Sequence, residues 1–115
     1  MHVVRFEQAP GYEAPGHFDI AMRRLQGREA GPSESVWLGL STIAPGGRID
    51  ASASAVEKFY VVVEGQLQVT AVQDGREVVA VLGPLDSCRI AGGESRALFN
   101  TTALPVKVLL VMPNG

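Results

Sequence analysis

The sequence has a single cysteine, Cys88, in 115 residues. No intramolecular disulfide can form, and a zinc site built on several cysteines is excluded. A basic stripe is also missing. The ten Lys and Arg are scattered and are outnumbered by twelve Asp and Glu, which argues against a nucleic-acid groove. No long apolar run is present. The two most apolar stretches, FYVVV (59–63) and VKVLLVM (106–112), fall far short of the ~20 residues that a membrane-spanning helix needs. The opening residues, MHVVRFEQAPGY, show no basic segment followed by an apolar one, so no secretory leader is expected. No glycine-rich loop follows a strand and opens a helix, which removes nucleotide binding of the phosphate-loop kind. The expectation is a soluble cytoplasmic protein with neither nucleic acid nor membrane as a partner.

What the chain does have is short β-rich segments separated by turn residues. Its length suits one domain that can bury a core without staples. Residues 1–35 are rich in Pro and Gly and poorly periodic, apart from DIAMRRLQG (19–27), which predicts a strand. They are expected to form an N-terminal extension packing on the body of the protein, residues 36–115. There the pattern becomes regular. VWLGLSTI (36–43) should stop at APGG, and VEKFYVVV (56–63) at Glu64-Gly65. QLQVTAV (66–72) meets REVVAVL (76–82) across Asp74-Gly75, a hairpin signal because both residues tolerate positive φ. DSCRI (86–90), RALFN (96–100) and VKVLLVM follow. Even spacing and no convincing helix predict an all-β sandwich or barrel. Segment 59–63 is apolar on both faces, which predicts cover on both sides and a homodimer.

Residues 45–100 resemble the cupin family. The first cupin motif reads Gly, a short spacer, His-x-His, three or four residues, Glu, six residues, Gly. PGGRIDASASAVEKFYVVVEG follows that spacing, with Lys58 at the glutamate position and Ser52 and Ser54 at the histidine positions. A four-residue spacer would instead put Ala51 and Ala53 there. The second motif reads Gly, five residues, Pro-x-Gly, two residues, His, three residues, Asn. LDSCRIAGGESRALFN follows it with Leu85 for the first Gly and Ala91 for Pro, keeps Gly93 and Asn100, and puts Arg96 at the histidine position. The resemblance implies a double-stranded β-helix, or jelly-roll barrel, whose mouth normally holds a divalent metal on three His and one Glu. Here the four positions carry two hydroxyls and two cations, a set that cannot hold such an ion. The resemblance therefore implies a metal-free pocket with no cofactor.

Within that frame Lys58 and Arg96 point into the barrel mouth, together with Ser52, Ser54, Tyr60 and Leu98. Two cations beside hydroxyls suit a small organic anion, a carboxylate or a phosphate ester, with Arg96 supplying a planar fork. The competing reading pairs the two cations with Glu57, Asp86 or Glu94, giving a closed, degenerate barrel that serves protein contacts. A third reading is a metal-independent isomerase or lyase using Lys58, Arg96 or His17. Lys58 would act as a base or imine-forming amine, and His17 would arrive on an N-terminal segment folded over the mouth. Cys88 reads as an inert thiol in a strand, and Trp37 as core or as covered by the N-terminal segment.

Overall fold

The structure, a computed structural model, describes residues 1–114. Among them are nine strands: β1 (Gly11–Tyr12), β2 (His17–Gln26), β3 (Val36–Ala53), β4 (Lys58–Glu64), β5 (Leu67–Gln73), β6 (Arg76–Leu82), β7 (Ser87–Ile90), β8 (Ser95–Phe99) and β9 (Val106–Pro113). Every pairing is antiparallel, in the order β6-β5-β8-β3-β9-β4-β7, with β2 on β3 and β1 on β2. This is the all-β jelly-roll barrel expected from the sequence. No helix among the described residues is long and apolar enough to cross a membrane.

Strand β3 does not stop at APGG. It runs 18 residues, through the Pro-Gly-Gly stretch and beyond. Its first half, Val36–Ile43, pairs with β9; its second half, from Arg48, pairs with β8. The glycines bend the strand instead of ending it. Gly46 sits at φ +77°, where a side chain is strained, and a Cβ on Gly47 would lie 2.7 Å from the Asp19 carbonyl oxygen. The bend is held from the other side by Asn100. Its backbone exchanges hydrogen bonds with Gly46 N and Gly47 O, each 3.0 Å. Its side-chain Nδ2 donates to Ile43 O (3.1 Å) and Leu104 O (2.8 Å), and its Oδ1 accepts from Thr102 N (2.9 Å). One long strand thereby joins the β9 and β8 sides of the barrel.

The hairpin expected at Asp74-Gly75 is present, with φ of 52° and 75° at its two corner residues. The strand expected near residues 19–27 is β2, which lies along β3 from Ile49 to Leu38. The core is aliphatic: Ile43, Ile49, Val62, Leu67, Val69, Ile90, Leu98, Val106 and Val108 pack around Tyr60. Along β4 the side chains alternate, with Lys58, Tyr60 and Val62 inside and Phe59 and Val63 outside.

Asn100 is wholly buried, so its removal leaves carbonyl and amide groups of the bend unsatisfied. Asn100→Ala is expected to lose about 2–4 kcal/mol of unfolding free energy. Urea titration checks this; a loss below about 1 kcal/mol would show that the bend does not depend on the side chain.

Candidate functional site

A cavity of about 300 Å³ opens at one end of the barrel. Its deep end is polar. The second half of β3 brings Ser52, the residue just past its end is Ser54, β4 brings Lys58 and Tyr60, and β8 brings Arg96. Ser52 and Arg96 face each other as register partners across β3 and β8. The four positions where the cupin motif carries metal ligands thus line one cavity, as does Tyr60.

Arg96 is 7% exposed, and its charge meets only neutral partners. Its Nε donates to the Tyr60 hydroxyl (2.8 Å), and its Nη1 to Asp50 O (3.1 Å) and Ser52 Oγ (3.2 Å). A guanidinium has five N–H donors; the two on Nη2 have no partner among the described residues. Lys58 is 5% exposed and makes no ion pair or side-chain hydrogen bond among the described residues. The acids that might have neutralised this pair are engaged elsewhere. Glu57 pairs with Arg89, Asp86 Oδ2 accepts from Gly83 N (2.9 Å), and Glu94 Oε1 accepts from Ala91 N (2.9 Å). Burial lowers the Lys58 pKa, and the neighbouring Arg96 lowers it further. Burial raises the Tyr60 pKa, against the opposing pull of Arg96.

The outer wall is built by residues the sequence did not single out. Tyr12, Glu13 and Ala14 cross the mouth, and Met22, Trp37, Leu110 and Met112 form an apolar flank. Trp37 packs edge-on against Tyr12, centroids 6.0 Å apart, so the N-terminal segment does cover it. The Arg24 guanidinium lies 3.5 Å from the Tyr12 ring centroid and 4.2 Å from that of Trp37, and pairs with Glu29. His17 is on the cavity wall, delivered by the start of β2. Its Nδ1 lies 2.8 Å from Pro15 O. A carbonyl only accepts, so Nδ1 carries the hydrogen and Nε2 is the basic nitrogen of the neutral ring. Burial lowers the His17 pKa, and Arg96 and Lys58 add to that lowering.

One expectation needs correcting, and one competing reading loses its support. Leu98 is 1% exposed within the core cluster and does not line the cavity. It shares the inward face of Arg96 but lies two residues further along β8, paired with Ile49 and packed in the core. Lys58 and Arg96 are also not closed onto Glu57, Asp86 or Glu94, which removes the observation on which a self-plugged barrel would rest. Cys88 sits across from Tyr60 on β7, half-buried, with burial pushing its thiol pKa up.

The fold has close counterparts among solved structures. The polyketide cyclase RemF from Streptomyces resistomycificus superimposes with a TM-score of 0.83 at 21% identity, over 98% of this chain and 79% of that one. An RmlC-like cupin from Shewanella frigidimarina matches with a TM-score of 0.78 at 17% identity, over 100% of this chain and 92% of that one. The chain has the cupin fold. In sequence, it is 47% identical over 102 residues to beta-D-galactosidase Rv1717 of Mycobacterium tuberculosis, covering 89% of the chain and 84% of the relative. No family model matches it.

The metal that cupins commonly hold does not fit this donor set. Ser52, Ser54, Lys58 and Arg96 offer two neutral hydroxyls and two cations at the ligand positions, and a divalent ion needs carboxylate, imidazole or thiolate donors. Among the described residues no three His, Cys, Asp or Glu side chains are grouped to take one. Elemental analysis of untagged protein is expected to show no stoichiometric transition metal. One equivalent of zinc, iron, manganese or nickel, removed reversibly by chelator, would overturn the assignment.

Proposed function

We propose that this protein binds a small organic anion, a carboxylate or a phosphate ester, at the deep end of the cavity. One observation carries the reading: Lys58 and Arg96 are buried on one cavity and neither has a carboxylate partner among the described residues. Two unneutralised buried cations are costly, and an anion between them relieves that cost. Nη2 of Arg96 supplies two unused donors, Lys58 a point charge, and the hydroxyls of Ser52 and Ser54 line the same floor. The apolar flank of Met22, Trp37, Leu110 and Met112 favours an anion with a ring or short hydrocarbon body over a bare inorganic ion.

Calorimetry with a panel of small acids tests the reading. Arg96→Ala is expected to lose about 1.5–3 kcal/mol of affinity, the scale of a hydrogen bond to a charged group. Arg96→Lys should recover only part of this, because an ammonium cannot keep the Tyr60, Asp50 and Ser52 contacts and still present the Nη2 donors. A panel with no binder, or a binder indifferent to both Arg96 and Lys58 substitutions, would end it.

A second reading is favoured by the 47% identity to a protein named for beta-D-galactosidase activity. Glycoside hydrolysis generally uses two carboxylates flanking the scissile bond. Glu13 is the one carboxylate on this cavity wall, and it lies on the segment that crosses the mouth, near His17. Release of nitrophenol from nitrophenyl β-D-galactoside by the wild type, abolished in Glu13→Gln, would establish the reading. Absence of release would dismiss it, and equal release by both proteins would remove Glu13 from it.

The proposal also includes a homodimer formed through sheet faces, with the N-terminal segment contributing. Its support is the outer face of β4, where Phe59 is 41% and Val63 46% exposed in the single chain, beside an exposed Val36. Sedimentation at micromolar concentration is expected to give twice the chain mass, and Phe59→Glu to halve it. A monomer mass independent of concentration would refute the dimer.

A further inference from the structure

We propose that Lys58 is a nucleophilic amine that condenses reversibly with the carbonyl group of a small oxo acid whose carboxylate is held by Arg96. This rests on the anion reading and adds a substrate class to it. The geometry starts with placement. Lys58 is the first residue of β4 and faces the cavity, yet its ammonium has neither ion pair nor hydrogen bond among the described residues. Arg96, in contrast, is fixed by three hydrogen bonds. A fixed guanidinium with free Nη2 donors therefore shares a cavity with a long side chain whose amine has no polar partner among the described residues. An oxo acid seated on Nη2 would turn its carbonyl toward a free primary amine.

The surroundings shift that amine toward its reactive form. The charged and titratable groups on the cavity are Arg96, Arg24, His17, Glu13, Tyr12 and Tyr60. Burial, and then Arg96, lower the Lys58 pKa, which enlarges the unprotonated fraction near neutrality. Arg96 keeps its charge throughout, so its hold on the carboxylate does not depend on the protonation of Lys58.

The step balances without any further reactant. The nitrogen lone pair of Lys58 attacks the carbonyl carbon, and the C=O π pair moves to oxygen. A proton passes from nitrogen to that oxygen, giving a carbinolamine. Loss of the hydroxyl with a second proton from nitrogen releases one water and leaves the C=N bond of an imine. The Tyr60 hydroxyl accepts from Arg96 Nε, so its own hydrogen remains available to the departing oxygen. His17 Nε2 is a base on the same wall.

The chain contains two lysines, and the second provides an internal control: Lys107 lies on β9, exposed, 3.9 Å from Glu64. The full-length protein is incubated with pyruvate and sodium borohydride, and the reduced adduct is located by peptide mass mapping. The expected result is one adduct on Lys58, formed at least tenfold faster than on Lys107 or the amino terminus, and absent in Lys58→Arg. Lactate, which has the carboxylate but no carbonyl, should protect Lys58. Arg96→Ala should slow labelling at least tenfold. Lactate binding with no Lys58 adduct would overturn this inference and leave the anion reading intact. Labelling of all three amines at one rate would also overturn it. Absence of any binding by either acid would remove both.

Discussion

A guanidinium buried among neutral groups governs this molecule. Arg96 belongs to β8, and its three protein acceptors come from the second half of β3 and from β4. Those strands lie in different arms of the sheet order, so one side chain ties the two walls of the barrel mouth together. A carboxylate partner would have neutralised the charge and closed the site. Neutral acceptors satisfy the donors but leave the charge, and its field, open to the cavity. The geometry is thus fixed and the electrostatics are left incomplete, the condition for pre-organised binding of an anion.

That arrangement depends on how β3 is bent. The strand can pair with β9 in one half and β8 in the other because Gly46 and Gly47 turn it and Asn100 holds the turn from within. Were β3 straight, Ser52 and the Asp50 carbonyl would not reach Arg96. The same strand carries β2 along its other edge, and β2 in turn carries the Tyr12–His17 segment over the mouth. The bend therefore sets the floor of the cavity, and β2 sets its roof.

The strands were legible in the sequence because each is bounded by turn residues and alternates or runs apolar in the expected way. APGG was misread because Pro-Gly usually ends a strand; what makes it a bend is Asn100, more than fifty residues away, and local pattern cannot show a distant staple. The deep end of the site was legible because Ser52, Ser54, Lys58 and Arg96 occupy spaced motif positions. Leu98 was misplaced because strand parity gives direction but not depth. The outer wall was illegible for another reason. Tyr12, Glu13 and Arg24 lie in Pro- and Gly-rich sequence without period, and Trp37, Leu110 and Met112 look like ordinary core residues. The signal that existed was an aromatic-acid pair, Tyr12-Glu13, isolated in a segment otherwise made of small residues.

The replacement of metal ligands here keeps the sign of the site while changing its chemistry. In a metal-holding cupin the ion is the positive centre, and its ligands are neutral or negative. In this chain the strands converge in the same way, but the positive charge is carried by the side chains themselves. A metal gives an open coordination position and a Lewis acid. Arg96 gives Nη2 donors of fixed direction, and Lys58 gives, when unprotonated, an amine. Under the proposed anion binding the attraction for anions survives the exchange, and the Lewis acidity does not. The part of the ligand away from its charge meets Met22, Trp37, Leu110 and Met112, and then the Tyr12–Glu13 edge. Under the proposed reading every small acid meets the same two charged side chains at the floor, so discrimination among them would fall to that outer wall. Affinity and specificity would then be set by different surfaces: affinity by the polar positions of β3, β4 and β8, and specificity by a wall that β2, β3 and β9 share with the Tyr12–Glu13 segment.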